Sequence, residues 1–425
     1  DLGYEFAKDL LNYRHAKKFA ESIQSLLDAS DENGLIHPKV SLGKTHRVNY
    51  SDPGILTIPK KLLWNLIGPY SDNGSLWSVD IKNQEPSILI NMTNAEELKP
   101  ALESPDGLYE YMFKQCFIPK VTANVLVDTL PENRRYTKEE LKAIGTISPA
   151  KYSAVRPDVE DVNYHGVKVE LIETVCIGSE KGIEPDLPDT VKVYLVNGDM
   201  VELPVQWDSY LKKYKRASDY SIDGTIDGLD VQISKVARKE FKTAWNAISY
   251  GATIFGVKLM CKNIDGSRVY NFCTKINGLK NYREKVKEVA KRGIEQGYAC
   301  IGTVFSTPLN TGYEEDFKRL NRVLLDIPVQ GTGADILSLL IKRFYSYSKE
   351  HGIEDKLSLY FTRHDELIIE VDKAWENSVG VQKVEDILRD MLEHRIDNWT
   401  PFKVEVTQLK PGSLADEDIV DEEDE

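Results

Sequence analysis

Residues 356–371 read KLSLYFTRHDELIIEV and predict two apolar strands joined by a tight bend. The polar triplet His364-Asp365-Glu366 stands between the two apolar segments, so the stretch predicts a β-hairpin with an acid at its bend. A carboxylate at the end of buried strands is costly unless it is paired or bound to a metal ion. Asp365 is therefore the first candidate functional residue.

A second acid ends another predicted strand. Residues 75–92 (SLWSVDIKNQEPSILINM) begin as an apolar strand that ends at Asp80, and they resume after a polar stretch as an apolar, helical run. Two carboxylates on neighbouring strands could hold two Mg²⁺ ions, because Mg²⁺ prefers hard oxygen ligands and also binds substrate phosphates. The alternative for each acid alone is structural, with Asp80 capping a helix and Asp365 serving as a turn residue.

A predicted helix over residues 233–250 carries polar side chains at a regular spacing. Arg238, Lys242, Asn246 and Tyr250 recur every four residues, which places them along one face of the helix. Two cations one turn apart repel each other slightly, but together they could bind a polyphosphate. The alternative is a solvated basic face.

The segment PVQGTGADI, residues 328–336, indicates the start of another helix. Gly331 and Gly333 would let the backbone approach a neighbour closely, and Thr332 or Asp335 would cap the helix that follows. By itself this segment is a plain helix start.

Composition sets few limits on function. The 425 residues carry a net charge of −14, but the acidic stretch 416–425 accounts for eight of those negative charges and leaves −6 without it. A nucleic-acid cleft needs only a local basic lining, so the net charge does not exclude one. The five cysteines form no CxxC pair, which favours reduced thiols over a zinc site. No run approaches the length of a membrane helix, no signal peptide follows Asp1, and the missing initiator Met suggests a processed chain or a fragment.

The remaining pattern predicts a mixed α+β chain. Residues 118–230 have a β-rich texture, with a strong hairpin signal at Asn197-Gly198. Other predicted elements are helices at 5–28, 277–297, 333–350 and 380–396 and a strand at 402–407.

Taken in order, these segments resemble the family A DNA polymerases, the group of bacterial DNA polymerase I and the T-odd phage enzymes. Asp80-Ile81-Lys82-Asn83-Gln84-Glu85 resembles the first palm motif, D-x-S-Q-x-E. Arg238, Lys242, Tyr250 and Gly251 meet the fingers-helix motif R-x3-K-x7-Y-G, and His364-Asp365-Glu366 matches the H-D-E motif. QGTGADI is similar to the family's Q-G-T-A-A-D-I, and Thr45-His46-Arg47 is similar to its T-G-R segment.

The resemblance implies a right-hand polymerase fold: an antiparallel palm sheet, helical fingers, an inserted β-rich module and a thumb that is mostly absent. The implied segments are the end of the thumb helix (1–30), palm with the first motif (31–117), inserted module (118–230), fingers (231–320), palm with the second aspartate (321–412) and an acidic disordered tail (413–425).

The resemblance also implies a role for each matched residue in adding deoxynucleotides to a primer. Two Mg²⁺ ions, or Mn²⁺ in their place, would be held by Asp80, Asp365 and the carbonyl of Ile81. Arg238 and Lys242 would bind the triphosphate, and Lys242 would protonate the departing pyrophosphate. Tyr250 would pack at the nascent base pair, and Glu85 would exclude ribose. His364 and Glu366 would support the primer end and the metals. Primer–template contacts would come from Arg47, Arg322 and Gln330.

The chain also departs from the family pattern. Asn246 replaces an aromatic residue, Asn83 replaces Gln and Pro86 replaces Leu. The alternatives to a DNA polymerase are a single-subunit RNA polymerase and an inactive primer–template binding module. A cytoplasmic enzyme is expected, in the host cytoplasm if the chain is phage-encoded, with no membrane partner. Its acidic tail either binds a replisome protein or is simply solvated.

Overall fold

A computed structural model describes residues 5–43, 45–58, 67–130, 132–145, 155, 162–208, 219–296, 317–393 and 399–409. The chain divides into two compact units, the first formed by Asp1–Lys99 with Gly278–Glu425 and the second by Pro100–Asn277. These units are not the six segments expected from the sequence, whose boundaries remain a prediction. The acidic tail, 413–425, lies outside the described residues.

Helices and strands are grouped along the described part of the chain, with a run of strands from Val162 to Val231 followed by a run of helices from Lys235 to Glu350, as the α+β interpretation predicts. The helices are α1 (Glu5–Ala29), α2 (Gln84–Met92), α3 (Lys99–Glu103), α4 (Leu108–Phe117), α5 (Lys138–Ile144), α6 (Lys235–Ser249), α7 (Ile254–Met260), α8 (Gly266–Lys275), α9 (Asn277–Gln296), α10 (Phe317–Glu350), α11 (Lys373–Val379) and α12 (Val381–Leu392). The strands are β1 (Lys39–Leu42), β2 (Val48–Ser51), β3 (Gly74–Ile81), β4 (Lys120–Val127), β5 (Val162–Tyr164), β6 (Val167–Ile172), β7 (Val175–Ser179), β8 (Thr190–Leu195), β9 (Met200–Trp207), β10 (Asp219–Ile226), β11 (Asp230–Val231), β12 (Leu357–Arg363), β13 (Glu366–Asp372) and β14 (Val404–Leu409).

A four-stranded antiparallel sheet forms the centre of the first unit, in the order β12-β13-β3-β14. Its central strands are buried on both faces, as their nearly continuous apolar sequences require. Helix α2 packs against α10 so closely that a Cβ atom on Gly333 would lie 2.5 Å from Oε1 of Gln84. The predicted hairpin at 356–371 is confirmed, with His364 and Asp365 as its two turn residues.

Helix α10 corrects one sequence prediction. It begins at Phe317, well before the expected start near Thr332, and it contains Pro328 in its interior. Proline removes one helical hydrogen bond and usually costs about 3 kcal/mol there. The packing of α10 offsets that cost, because Leu324 and Leu325 lie in a buried cluster with residues of α9, and Val329 and Ile336 are also buried.

Residues 321–350 of α10 are apolar and long enough to cross a membrane by composition, contrary to the expectation that no such run exists. Just over half of the most apolar stretch is buried inside the protein. That burial is what a core helix of a folded domain shows.

The second unit contains an eight-stranded sheet in the order β11-β5-β6-β8-β9-β10-β4-β7. The expected hairpin at Asn197-Gly198 is confirmed, since β8 and β9 pair on either side of it and Gly198 has a φ of 92°. The strands that begin and nearly end this β-rich stretch, β4 and β10, pair with each other from Lys120↔Thr225 to Leu126↔Asp219.

Helices α4 and α6 pack together through aromatic side chains in the same unit. The rings of Phe113 and Phe241 meet edge to face at 5.6 Å, and both side chains are fully buried. The cysteines of this unit, Cys116, Cys176, Cys261 and Cys273, are free and buried, as expected for reduced thiols.

Candidate functional site

The two aspartates singled out by sequence lie at one end of the four-stranded sheet. Asp80 is the penultimate residue of β3 and is paired in register with Glu366, the first residue of β13. Asp365 immediately precedes Glu366 in the turn, and its carbonyl oxygen accepts a hydrogen bond from the backbone N–H of Ile81 at 3.3 Å. The structure therefore brings Asp80, Ile81, Asp365 and Glu366 together, although they come from distant parts of the chain.

The turn that presents Asp365 is conformationally demanding. Arg363 pairs directly with Glu366, which leaves His364 and Asp365 as a two-residue loop. His364 has a φ of 55°, a value uncommon for residues other than glycine. Such backbone strain at a hairpin bend is often found where a side chain must be held in a required position.

Glu366 is buried and lies opposite another acid. Its Oε1 atom accepts a hydrogen bond from the hydroxyl of Ser78, which is also buried. On the other side of Asp80, Glu405 of β14 is paired in register with it, and Glu405 forms an ion pair with Lys82 at 3.6 Å. Paired positions in an antiparallel sheet place side chains on the same face, so three carboxylates cross β13, β3 and β14 in a row.

Arg47 forms an ion pair with Glu85 at this end of the first unit. Its Nη2 atom lies 2.5 Å from Oε1 of Glu85, and the two side chains are 27% and 30% exposed. Arg47 directly precedes β2, and the residue before it, His46, has a φ of 61°. The family's T-G-R segment has glycine there, which adopts such a φ without strain.

The carboxyl groups around Arg47 are electrostatically unfavourable in their charged forms. Burial raises the pKa of Asp365, the charges of Glu85 and Glu366 raise it further, and its own backbone N–H and Arg47 oppose that change. Burial also raises the pKa of Asp326 on α10, and Glu85 adds to it, while Arg47 and a hydrogen bond from Gln330 lower it. An added positive charge would therefore stabilise the charged forms of these carboxyl groups.

Other buried acids of the same sheet differ in having several hydrogen-bond donors. Glu370 accepts bonds from the N–H groups of Tyr70 and Ser71, each 2.9 Å long, and from the Ser71 hydroxyl at 2.7 Å. Glu376 accepts bonds from Trp77 Nε1 at 3.0 Å and Gln408 Nε2 at 2.7 Å. These donors explain Glu370 and Glu376 as structural acids, whereas the surroundings of Asp365 give no such structural explanation.

The donor chemistry at the end of the sheet fits a divalent cation such as Mg²⁺. Asp80 and Asp365 are hard oxygen donors, and the raised pKa of Asp365 shows that its negative charge is poorly compensated. Within the described part of the chain, no three His, Cys, Asp or Glu side chains converge closely enough to enclose a metal ion by themselves. Mg²⁺ commonly takes several of its ligands from water and substrate phosphates.

The face of α6 predicted to bind a polyphosphate lies in the second unit. Arg238 pairs with Glu110 of α4 at 3.5 Å, and Lys242 Nζ lies 5.7 Å from the ring centre of Tyr109. The Tyr109 hydroxyl donates a hydrogen bond to Oδ1 of Asn246 at 3.5 Å. Tyr250 caps the helix and Gly251 follows with a φ of 91°. The four-residue spacing therefore does produce one face, and α4 borders it.

Three residues at these sites were not among those predicted from the sequence. Asp326 lies between Arg322 and Gln330 at four-residue spacing, so the helical period of that segment could have identified it. Tyr109 and Glu110 carry no such local signal, because their significance comes from contacts with a helix far along the chain.

Comparisons with known proteins agree with the geometry. The model of DNA polymerase family A matches residues 224–409, and that of a bacterial Ig-like domain (group 4) matches residues 169–229. DNA polymerase I of Aquifex aeolicus is 24% identical over 286 residues, which cover 63% of this chain and 45% of that protein. DNA polymerase I of Rhizobium leguminosarum is 26% identical over 278 residues, or 62% of this chain and 26% of that protein. This chain thus spans less than half the length of these relatives.

The fold has a solved counterpart. The POL domain of Pol1 from M. smegmatis, in complex with DNA primer-template and dNTP, superposes with a TM-score of 0.58 at 15% sequence identity, covering 96% of this chain and 53% of that one. At that identity the similarity establishes the fold alone. The family match over residues 224–409 and the curated relatives agree with the resemblance of this chain to the family A DNA polymerases.

Proposed function

We propose that the chain is a template-directed DNA polymerase that adds deoxynucleotides to a primer 3′ end by two-metal nucleotidyl transfer, in replication or repair. The observation that carries this proposal is the convergence of Asp80, Asp365 and Glu366 at one end of the sheet, in a chain whose residues 224–409 match the family A polymerase model. On this proposal the four-stranded sheet is the palm and α6 belongs to the fingers.

Asp80, Asp365 and the carbonyl of Ile81 would hold two Mg²⁺ ions, for which Mn²⁺ could substitute. When bound, the ions would activate the primer hydroxyl and stabilise the leaving pyrophosphate. The protein supplies the positions: β3 fixes Asp80, the strained turn fixes Asp365, and the Ile81–Asp365 backbone bond ties the two together. His364 and Glu366 would support the primer end beside them.

The exposed face of α6 would bind the incoming triphosphate. A guanidinium matches phosphate oxygens in a two-pronged geometry, so Arg238 would hold them, and Lys242 one turn later would donate a proton to the departing pyrophosphate. Tyr250 would pack at the nascent base pair. Helix α6 begins with a Ser234 hydroxyl cap and is anchored by buried Phe241 and Trp245, so these groups project from a fixed support.

Glu85 would select deoxyribose, since a carboxylate near the sugar position leaves no room for a 2′-hydroxyl. Arg47, Arg322 and Gln330 would contact the primer–template through minor-groove shape and backbone rather than sequence. The pairing of Arg47 with Glu85 supports placing the sugar and primer contacts side by side. The relative from M. smegmatis was solved with primer-template and dNTP, which supports the same substrates here.

Other parts of the proposal concern the setting of the enzyme. The β-rich stretch 118–230 would be a module inserted beside the fingers, and the acidic tail would bind a basic replisome protein. We place the enzyme in the cytoplasm, with a phage as the source favoured by the sequence pattern.

The decisive experiment is primer extension by the Asp365→Asn variant. We expect extension to be abolished while primer–template binding, measured by fluorescence anisotropy, survives, because asparagine keeps the shape but loses the charge needed for metal binding. The matched control is Asp355→Asn, which changes an exposed acid just before the start of β12 that pairs with Lys356 at 2.9 Å. This variant should extend normally.

Near-normal extension by Asp365→Asn would refute the catalytic role. The same gel with ribonucleotides, or without metal, separates the alternatives: extension with ribonucleotides alone indicates an RNA polymerase, and binding without any extension indicates an inactive module.

A further inference from the structure

Two neighbouring residues of α4 contact the face of α6 to which the proposed function assigns triphosphate binding. Glu110 Oε1 lies 3.5 Å from Nε of Arg238. Tyr109 lies beneath Lys242, with 5.7 Å between the ammonium and the ring centre, and its hydroxyl bonds to Asn246. Three of the four polar positions on that face are therefore in contact with α4.

Helix α4 is held firmly in this position. Phe113, one turn after Tyr109, is fully buried and packs edge to face on Phe241 of α6. At the other end of α4, Arg268 donates hydrogen bonds to the carbonyl oxygens of Cys116 at 2.9 Å and Ile118 at 2.7 Å. The contact between Glu110 and Arg238 is therefore set by buried packing rather than by a chance meeting of two surface side chains.

The ion pair itself is weak and exchangeable. Its N–O distance is longer than that of a strong charge-assisted hydrogen bond, and the Arg238 and Glu110 side chains are 47% and 30% exposed. A carboxylate and a phosphate compete for the same donors on a guanidinium. A triphosphate carries several negative charges, so it can displace the single charge of Glu110.

We propose that Glu110 is an internal competitor of the nucleotide: its carboxylate occupies Arg238 until the incoming triphosphate displaces it, and Glu110 thereby sets the affinity for dNTP. Tyr109 keeps Lys242 and Asn246 in place during this exchange. The inference rests on the proposed function, because it assumes that Arg238 binds phosphate. No covalent bond changes in this step; one ion pair is replaced by another, and the released carboxylate remains partly in contact with water.

The test compares the full chain with its Glu110→Gln variant in single-nucleotide primer extension and in calorimetric titration with inorganic tripolyphosphate. We expect the KM for dNTP to fall about two- to five-fold, the range set by an exposed ion pair, with kcat unchanged. Tripolyphosphate should bind more tightly by a similar factor, and both effects should shrink at high salt because exposed charges are screened.

Three further variants make the test specific. Glu110→Asp keeps the charge and should behave more like the parent. Asp106→Asn removes an acid that precedes the same helix and pairs with Lys114 at 3.0 Å, so it controls for a general change in charge. In the Arg238→Ala background, Glu110→Gln should have no effect, since the contested guanidinium is gone. A thermal melt of each variant excludes a folding defect.

An unchanged or raised KM together with unchanged or weaker tripolyphosphate binding in Glu110→Gln would overturn the inference, because it would show that Glu110 helps or ignores the phosphate. An equal gain in Asp106→Asn, or a gain that persists without Arg238, would also overturn it. If no variant extends a primer, the proposed function fails, but the tripolyphosphate titration still decides whether Glu110 competes for Arg238.

Discussion

The ion pair of Arg47 with Glu85 should contribute measurably to the stability of the first unit. The two charged groups are in hydrogen-bond contact at 2.5 Å and are each about 70% buried. With charge centres about 4 Å apart and an effective dielectric constant of about 20, their attraction is about 4 kcal/mol before desolvation is subtracted. Because loss of hydration and side-chain freedom cancels much of this, we expect a net coupling of about 1–2 kcal/mol.

A double-mutant cycle isolates that coupling. The parent, Arg47→Ala, Glu85→Gln and the double variant are unfolded in urea at neutral pH without divalent cations, and the free energies of unfolding are compared. The matched control is the ion pair of Lys39 with Asp52, at the open end of the β1–β2 hairpin that also carries Arg47. Its N–O distance is 2.9 Å, but its two side chains are 76% and 70% exposed. Exposed pairs of this kind contribute about 0.5 kcal/mol or less.

Equal coupling in the two cycles would refute the reasoning, because burial is the property that distinguishes the pairs. The single variants carry a second signature. Removing Arg47 leaves the negative charge of Glu85 near Asp326 and Asp365, whose pKa values are already raised. Removing Glu85 instead takes away a charge that repels both of these carboxylates. Arg47→Ala should therefore be the more destabilising of the two changes at neutral pH.

Three other predictions concern single positions. Glu85→Ala should let ribonucleotides be incorporated, as primer extension with rNTPs will show; equal use of rNTPs by the parent would contradict the assigned role. Asp365→Asn should raise stability to urea at neutral pH without divalent cations. Burial raises the pKa of Asp365 in the folded protein, so the folded protein loses stability as the pH rises from the ordinary carboxyl range towards that raised pKa. The stability gained by Asp365→Asn should therefore shrink at acid pH. A gain that does not depend on pH would contradict this cause. Gly178→Ala should destabilise the second unit by roughly 1–3 kcal/mol, because the new Cβ would collide with the Glu132 carbonyl oxygen and lie 2.9 Å from Leu130 Cβ; an unchanged melting temperature would contradict it.

The four-stranded sheet was predictable because its signals are local. Alternation and turn chemistry identify the hairpin around Asp365 and the strand that ends at Asp80, and four-residue spacing identifies the face of α6. The adjacency of Asp80 and Glu366 follows once β3 and β13 are placed side by side, a pairing that no local pattern contains.

What could not be predicted depends on contacts between distant segments. Pro328, Gly331 and Gly333 disfavour a helix by propensity, yet α10 runs through all three because its neighbours bury it on several sides. Gly333 is part of that packing, since it gives Gln84 the space that an alanine would fill. The contact of Glu110 with Arg238 likewise follows only from the packing of Phe113 on Phe241.

The pairing of β4 with β10 has a consequence for the evolution of the chain. Lys120 and Thr225 are cross-strand neighbours, so the roughly 100 residues between them leave and rejoin the rest of the second unit at nearly the same point. An unstructured loop of that length would lose about 4 kcal/mol of closure entropy, whereas a folded sheet brings its own ends together. Because the two ends of the segment lie side by side, a change in its length or content would leave the spacing of the flanking helices unaltered, and we expect related chains to differ most here.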